Sequence, residues 1–311
     1  MSDTPASLRR SIASAGDLQS VVRSMKALAG ASIGQYEQSV QALAEYYRSV
    51  ELGLSLCLRQ PQVQARRAIE PAPGAKAAIG AIVFGSDQGL VGQFNEQVAE
   101  FAIETLADMP GDLQVWAVGE RVHGSLEQAG LPLKGLFRVP SSVKGIAPLV
   151  GQIQLDSEAH VTSELARFYV FHNRPQAGMS YAPVCQRLLP LDRQWQQNLA
   201  QIPWPGGALP EILHDAQQTL RALIREYLFI SLFRACAESL ASENASRLAA
   251  MQRADKNIEE LLETLRSDFN RLRQSSIDAE LFEVISGYES LTSGEALPLM
   301  PGAQVAPPHR T

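Results

Sequence analysis

Gly85-Ser86-Asp87-Gln88-Gly89-Leu90-Val91-Gly92 has the composition of a loop that could cradle phosphate, since its glycines let backbone N–H groups converge on an anion. It follows a strand-like run and opens a helix-like one, where such a loop would sit. It nonetheless lacks the GxGxxG spacing of a dinucleotide site, and no lysine followed by serine or threonine closes it as a P-loop requires. The plainer reading is a tight structural turn. Ser86 and Asp87 would serve a hydrolase only with a base in reach, yet His123, His160, His172, His214 and His309 are scattered without pairing. Cys57, Cys185 and Cys236 are equally isolated, so neither metal-ligand spacing nor a disulfide framework emerges, and reduced thiols are expected. No cofactor or metal is implied.

A second group of polar residues stands near the end of the chain: Arg266, Arg271, Arg273, Gln274, Glu280 and Glu283. These form either a solvated helix face or a surface that other subunits read through polar contacts.

The elements that would hold these residues are long helices. From Ala208 to Ser286 the chain carries no glycine and, after Pro210, no proline. A helix of that extent would run to about 120 Å, too long to hide in a globule. Every seventh residue from Leu209 reads Leu209, Ala216, Leu223, Ile230, Ala237, Asn244, Met251, Ile258, Leu265, Leu272 and Ala279, broken only by Asn244. This is a coiled-coil seam. Its companion positions are apolar early and mixed later. The N-terminus offers a partner in Leu8, Ile12, Ala15, Leu18, Val22, Met25, Ala29, Ile33, Tyr36, Val40, Leu43, Tyr47, Val50 and Leu54, which step at about 3.5 residues. Gly16, Gly30, Gly34 and Gly53 weaken that helix by about 1 kcal/mol each, and either close packing on a partner or a kink at the glycines would account for them.

Between the helices the texture changes. Residues 61–75 read as a proline- and alanine-rich linker. Ala77–Phe84, Leu113–Val118 and Leu133–Val139 read as strands alternating with helices at Gln93–Asp108, Glu120–Ala129 and Ile146–Leu155, which implies βαβ units and a mostly parallel sheet. Arg167–His172 and Tyr181–Leu189 look like a hairpin. The expected organisation is an N-terminal coiled-coil helix over 5–60, the linker, a Rossmann-like α/β domain over 76–195, a C-terminal coiled-coil helix over 208–291 and a flexible tail over 292–311. The fold class is thus α/β, inserted into a long antiparallel two-helix coiled coil.

Bulk properties narrow the function. The 311 residues are 45% apolar, enough for a real core, and the net charge of −6 with no basic stripe argues against nucleic acid. The first five residues do not look like a signal peptide, and no apolar run approaches the roughly 20 residues of a membrane span.

Four segments together resemble the γ subunit of F-type ATP synthases, the central stalk of the F1 motor. Leu8–Ile12 with Val22–Ala29 is similar to the N-terminal helix of that family, and Gly85–Asn95 to its SDRGLCGGFN segment. Glu238–Met251 resembles ASExAARMxAM. Most specific is Phe269–Ile277 followed by Glu280–Gly287, which resembles YNxxRQAxITxELxEIVxG. The likeness covers residues 5–291. Gln88, Val91 and Gln93 replace the usual arginine, cysteine and glycine, and Tyr288 and Glu289 replace small residues. These departures mark a divergent member and leave housekeeping and alternative F-type ATPases both open.

The resemblance implies a non-catalytic shaft in the bore of an α3β3 ring, catalysis belonging to the β subunits. It implies that the α/β domain meets the ε subunit and the c-ring, that membrane association is indirect through that ring, and that the location is the cytoplasmic face of the bacterial inner membrane. Arg273 and Gln274 would contact a β-subunit loop, and Met25 and Lys26 would lie near the entrance of the α3β3 ring. Ile277 to Gly287, including Glu280, Leu281 and Ile285, would run in an apolar sleeve. Trp195–Pro210 would lie near the foot. The competing reading is a nucleotide-dependent α/β enzyme with coiled-coil dimerisation arms, and a third is a homodimeric coiled-coil scaffold.

Overall fold

The computed structural model describes residues 4–60, 78–160, 167–177, 180–189, 193–205, 210–212 and 215–293. The expected linker over 61–75, nearly all of the expected tail, Leu209 and Leu213 lie outside the described residues. In order, the elements are α1 (Pro5–Ala42), α2 (Ala44–Leu58), β1 (Ala78–Phe84), α3 (Phe94–Ala107), β2 (Asp112–Val118) and α4 (Glu120–Gln128). There follow β3 (Leu133–Phe137), α5 (Val143–His160), β4 (Arg167–Pro175), β5 (Tyr181–Leu189), α6 (Arg193–Gln201) and α7 (Ala216–Ser293). They fall into two units, one spanning Val22–Ala254 and the other built from the residues up to Val21 and from Asp255 onward.

The larger unit holds a five-stranded sheet in the order β3-β2-β1-β4-β5. β1 pairs in parallel with β2 and β4, β2 in parallel with β3, and β5 returns antiparallel to β4 as the expected hairpin. Alternation along β1 sends Ile82 and Phe84 to one face and Ala81 and Val83 to the other, so each face needs its own cover. On the first face Trp116, Val118, Phe168 and Val170 meet Ile146, Leu149 and Ile153 of α5 and Phe233, Cys236, Ala237 and Leu240 of α7. On the second, Val115, Ala117 and Phe171 meet Val98 and Ala102 of α3 and Val122 and Leu126 of α4. A third apolar cluster joins Val50, Leu54 and Leu58 of α2 to Leu199 of α6 and Tyr227 and Ile230 of α7. The helix α6 was not anticipated from the sequence.

In the larger unit Tyr46 donates to Glu226 at 2.6 Å, Tyr47 faces Tyr227, and a Cβ on Gly53 would lie 3.1 Å from the Leu223 side chain. Advancing along α2 thus means retreating along α7, an antiparallel pairing. In the smaller unit Arg9 lies over the Phe269 ring and Gln19 donates to Asp255 at 3.2 Å, which gives the same polarity there. The buried positions of α1 fall at strict sevens, Leu8, Ala15, Val22, Ala29 and Tyr36, whereas α2 buries Val50, Leu54, Ser55, Cys57 and Leu58, and Leu18 of the expected seam is 54% exposed. Along α7 the seam residues Ile230, Ala237, Asn244, Met251 and Ile258 are buried. Asn244 does not break the helix, because its Nδ2 donates to the Leu240 carbonyl one turn back at 2.8 Å.

Two boundaries differ from expectation. The N-terminal helix is interrupted at Leu43 and at none of its glycines. Gly16, Gly30 and Gly34 have open space where a Cβ would stand, so close packing explains Gly53 alone. The long helix starts at Ala216 rather than 208. Pro210 cannot donate in a helix interior, and Asp215 caps the start, accepting from the Gln217 N–H at 3.3 Å. At its other end the helix runs past Gly287 to Ser293.

Candidate functional site

The turn after β1 is filled by the protein itself. Ser86 is fully buried, its N–H donates to Asn95 Oδ1 at 2.9 Å, and its hydroxyl donates to the Gln88 carbonyl at 2.8 Å. Asn95 Nδ2 returns a bond to Ser86 Oγ at 2.9 Å. Asp87 accepts the N–H of Glu120, the first residue of α4, and the N–H of Val139, each at 3.0 Å. The carboxylate therefore caps a helix and ties down a loop. Leu90 and Gly92 take positive φ of 62° and 56°, the geometry of a tight turn. Val91 is buried, with only 2% exposure. A Cβ on Gly119, whose φ is +114°, would lie within 2.9 Å of the Ser86 backbone, so only glycine fits where this strand end meets the turn.

The strand order reverses at β1, and in doubly wound sheets ligands enter the crevice at the carboxyl ends of the two strands flanking such a switch point. Here β1 and β4 flank it, and α7 sits at their ends. Ser246 Oγ donates to the Val91 carbonyl at 2.5 Å and lies 3.2 Å from the Tyr181 hydroxyl. Ser242 Oγ donates to the Asn173 carbonyl at 3.0 Å, and Asn173 Nδ2 donates to the Phe94 carbonyl at 2.8 Å. Glu238 accepts at one oxygen from His172 Nε2 at 2.8 Å and Arg174 Nε at 3.0 Å, and at the other from Arg234 Nε at 2.7 Å. The crevice that would take a nucleotide is occupied by the long helix.

The electrostatics follow from burial. Burial pushes the Glu238 carboxyl up, but hydrogen bonds from His172, Arg234 and Arg174 overcome it and hold the group at about 2. Burial lowers His172, whose Nδ1 is buried with no acceptor for a second proton among the described residues. Burial raises Glu243, against the pull of Arg247, which donates to its Oε1 at 2.7 Å while Oε2 stays buried without a hydrogen bond.

Sequence reasoning missed this cluster, although its signal was present. Glu238, Ser239, Ser242, Glu243, Asn244 and Ser246 are polar residues concentrated in the middle of a helix whose flanks are apolar, and all are buried. A helix so polar at its most enclosed stretch must find partners elsewhere in the fold.

The residues expected to meet other subunits divide between the units. Met25 and Lys26, both half-buried, belong to the larger one. In the smaller, every side chain from Arg273 to Glu289 is exposed. That stretch carries Ile277, Leu281, Phe282, Val284, Ile285 and Tyr288 at 44–70% exposure, an unusual apolar load for a solvated helix. Arg273, Gln274 and Glu280 share it. Among the described residues no group of His, Cys, Asp and Glu could hold a metal ion, and no helix is long and apolar enough to cross a membrane.

A doubly wound α/β layer whose switch-point crevice is lined by a long helix, in a chain that pairs its terminal helices antiparallel, defines a protein built as a layer on a two-helix shaft. A family profile described as ATP synthase matches residues 4–291, and the chain belongs to that family. It is 25% identical over 289 residues to the ATP synthase gamma chain of Dechloromonas aromatica, covering 90% of this chain and 96% of that one. It is 27% identical over 300 residues to the gamma chain of Rhizobium johnstonii, covering 91% and 98%. Its fold matches a chain of the Euglena gracilis mitochondrial ATP synthase, in a structure of OSCP, F1 and c-ring, with TM-score 0.61 and 16% identity over 97% of this chain and 99% of that one. It also matches a chain of the Tetrahymena thermophila central stalk and c-ring with TM-score 0.54 and 20% identity, over 75% and 99%. Within the family it is the gamma chains, the central stalk, that this chain resembles along its length.

Proposed function

We propose that this chain is the non-catalytic rotor shaft of a rotary ATPase, carrying rotation between a membrane-bound ring and a ring of α and β subunits that turn over ATP. The observation that carries this reading is the exposed apolar helix from Arg273 to Glu289, in a chain of gamma-chain kinship. In a monomer such a surface has no purpose, whereas a sleeve formed by partner subunits would cover it. Ile277, Leu281 and Ile285 recur at i, i+4 and i+8 and would form the bearing stripe, with Arg273, Gln274 and Glu280 supplying polar contacts to the β subunits. Met25 and Lys26 would face the entrance of that ring.

The coupling this requires is thermodynamic. A lopsided shaft biases each β subunit only through contacts that differ between its conformations, so rotation can exchange nucleotide affinities without the shaft touching nucleotide. The α/β layer would meet the ε subunit and the c-ring, which makes membrane association indirect and places the chain at the cytoplasmic face of the bacterial inner membrane. The linker-and-layer division at 61–75 and 76–195, and the start of the long helix at Ala216, would then be the boundaries between foot and shaft.

The test is ATP hydrolysis by α and β subunits from the same source, with and without this chain, alongside size-exclusion chromatography. One copy per α3β3 with stimulated turnover is the expected result. A chain that ignores those subunits, or that hydrolyses nucleotide alone, would overturn the reading.

A further inference from the structure

The face of α7 that meets the sheet makes two kinds of contact. Phe233, Cys236, Ala237 and Leu240 hold it by apolar burial, which is non-directional and so fixes the angle of the helix less narrowly than hydrogen bonds do. Glu238, Ser242 and Ser246 stand four residues apart, in one row along the helix. Each is buried, and each bonds a different piece of the α/β layer: Glu238 the His172 and Arg174 side chains, Ser242 the Asn173 carbonyl, Ser246 the carbonyl of Val91 in the turn after β1. Hydrogen bonds weaken steeply when bent, so rotation of α7 about its axis would break all three sets together.

Stability alone does not account for this row. Replacing a buried ion pair by apolar side chains of similar volume is commonly neutral or stabilising. An apolar stripe would hold the helix as firmly but would set its rotation less narrowly than directional hydrogen bonds do.

We propose that Glu238, Ser242 and Ser246 are positioning residues that lock α7 to the α/β layer against torsion, so that rotation applied to the layer reaches the shaft without slip. The inference rests on the central-stalk reading above. It separates two kinds of ion pair on one helix. The Arg247–Glu243 pair joins residues within α7 and spans no boundary, so it should matter to stability and not to torsion.

The test uses the full chain assembled with α and β subunits, the β subunits fixed to a surface and a bead attached through Glu127→Cys on the exposed face of α4. Angular variance of the bead during pauses at low ATP reports torsional stiffness. Glu238→Gln with Ser242→Ala and Ser246→Ala should raise that variance by about twofold or more, with unloaded hydrolysis unchanged, while Arg247→Gln leaves it unchanged. Where the triple variant fails to fold, Ser242→Ala with Ser246→Ala alone, which removes two hydroxyls and adds no volume, should still raise the variance. Unchanged variance in the serine variant, or an equal rise in Arg247→Gln, would overturn the inference while leaving the stalk reading intact. Failure of the unmodified chain to assemble or turn would overturn the stalk reading itself, and the inference with it.

Discussion

Asp87 Oδ1 accepts the backbone N–H of Glu120 at 3.0 Å, across 33 residues, and its other oxygen accepts that of Val139 at 3.0 Å. One carboxylate thereby fixes the start of α4 and the loop after β3. Asp87→Ala leaves two backbone donors without partners, and a cost of about 2 kcal/mol is expected, given that charge-assisted bonds exceed neutral ones. Urea unfolding of the isolated chain measures it. A variant as stable as the parent would show that the cap contributes nothing.

Glu238 and His172 predict how stability depends on pH. The carboxyl of Glu238 is held at about 2 in the folded chain, below the ordinary unfolded value of about 4.3. Its contribution is therefore fully present above about 4.3 and is lost as pH falls from there through about 2. His172 is also lowered in the folded chain, so its neutral form favours folding above its unfolded value of about 6.5 and that support declines as pH falls below it. Both act in the same direction. In His172→Gln the decline beginning near pH 6.5 should shrink, and in Glu238→Gln the decline below about 4.3 should, as read from thermal unfolding across pH. Identical pH profiles for parent and variants would sink this account.

The glycines predict opposite signs. A Cβ on Gly85 would stand 2.4 Å from Val122 Cβ, between a strand end and α4, so Gly85→Ala should cost about 3 kcal/mol or more. Gly16 has nothing within 4 Å of the same position and lies in mid-helix, so Gly16→Ala should stabilise by about 0.5–1 kcal/mol. Chemical denaturation of the two variants is enough, and a stabilised Gly85→Ala would contradict the packing.

Arg273 and Gln274 are exposed on a stretch of helix where every side chain is exposed. Arg273→Ala with Gln274→Ala should change stability by no more than about 0.5 kcal/mol. In the complex with α and β subunits the same variant should lower ATP turnover. Turnover equal to the parent would remove these residues from the proposed contact with the β subunits.

Local signals made much of the fold legible. Apolar runs alternating with amphipathic stretches located β1, β2 and β3 to within two residues but ended β4 three residues short of Pro175, because a strand buried on both faces is apolar throughout whereas the end of β4 carries Asn173 and Arg174. The heptads located the seam of α7, because a helix records in its spacing which side it buries. Boundaries set by backbone chemistry were harder. Pro210 and Asp215 together mark the start of α7, but an apolar periodicity that continues past them masks the signal, and nothing in the sequence marks the interruption at Leu43.

The sequence by itself determined that two long helices flank an α/β layer and that the kinship is with the gamma chains, since periodicity and motif are properties of neighbours along the chain. Only the tertiary structure decided that the turn from Gly85 to Gly92 is filled rather than open. Only it decided that Glu238, Ser242 and Ser246 hold α7 at the switch point of the sheet. Those bonds join residues 64 to 155 positions apart, and which buried donor meets which acceptor is settled by packing, where each polar group must find a partner or bear the cost of lost water.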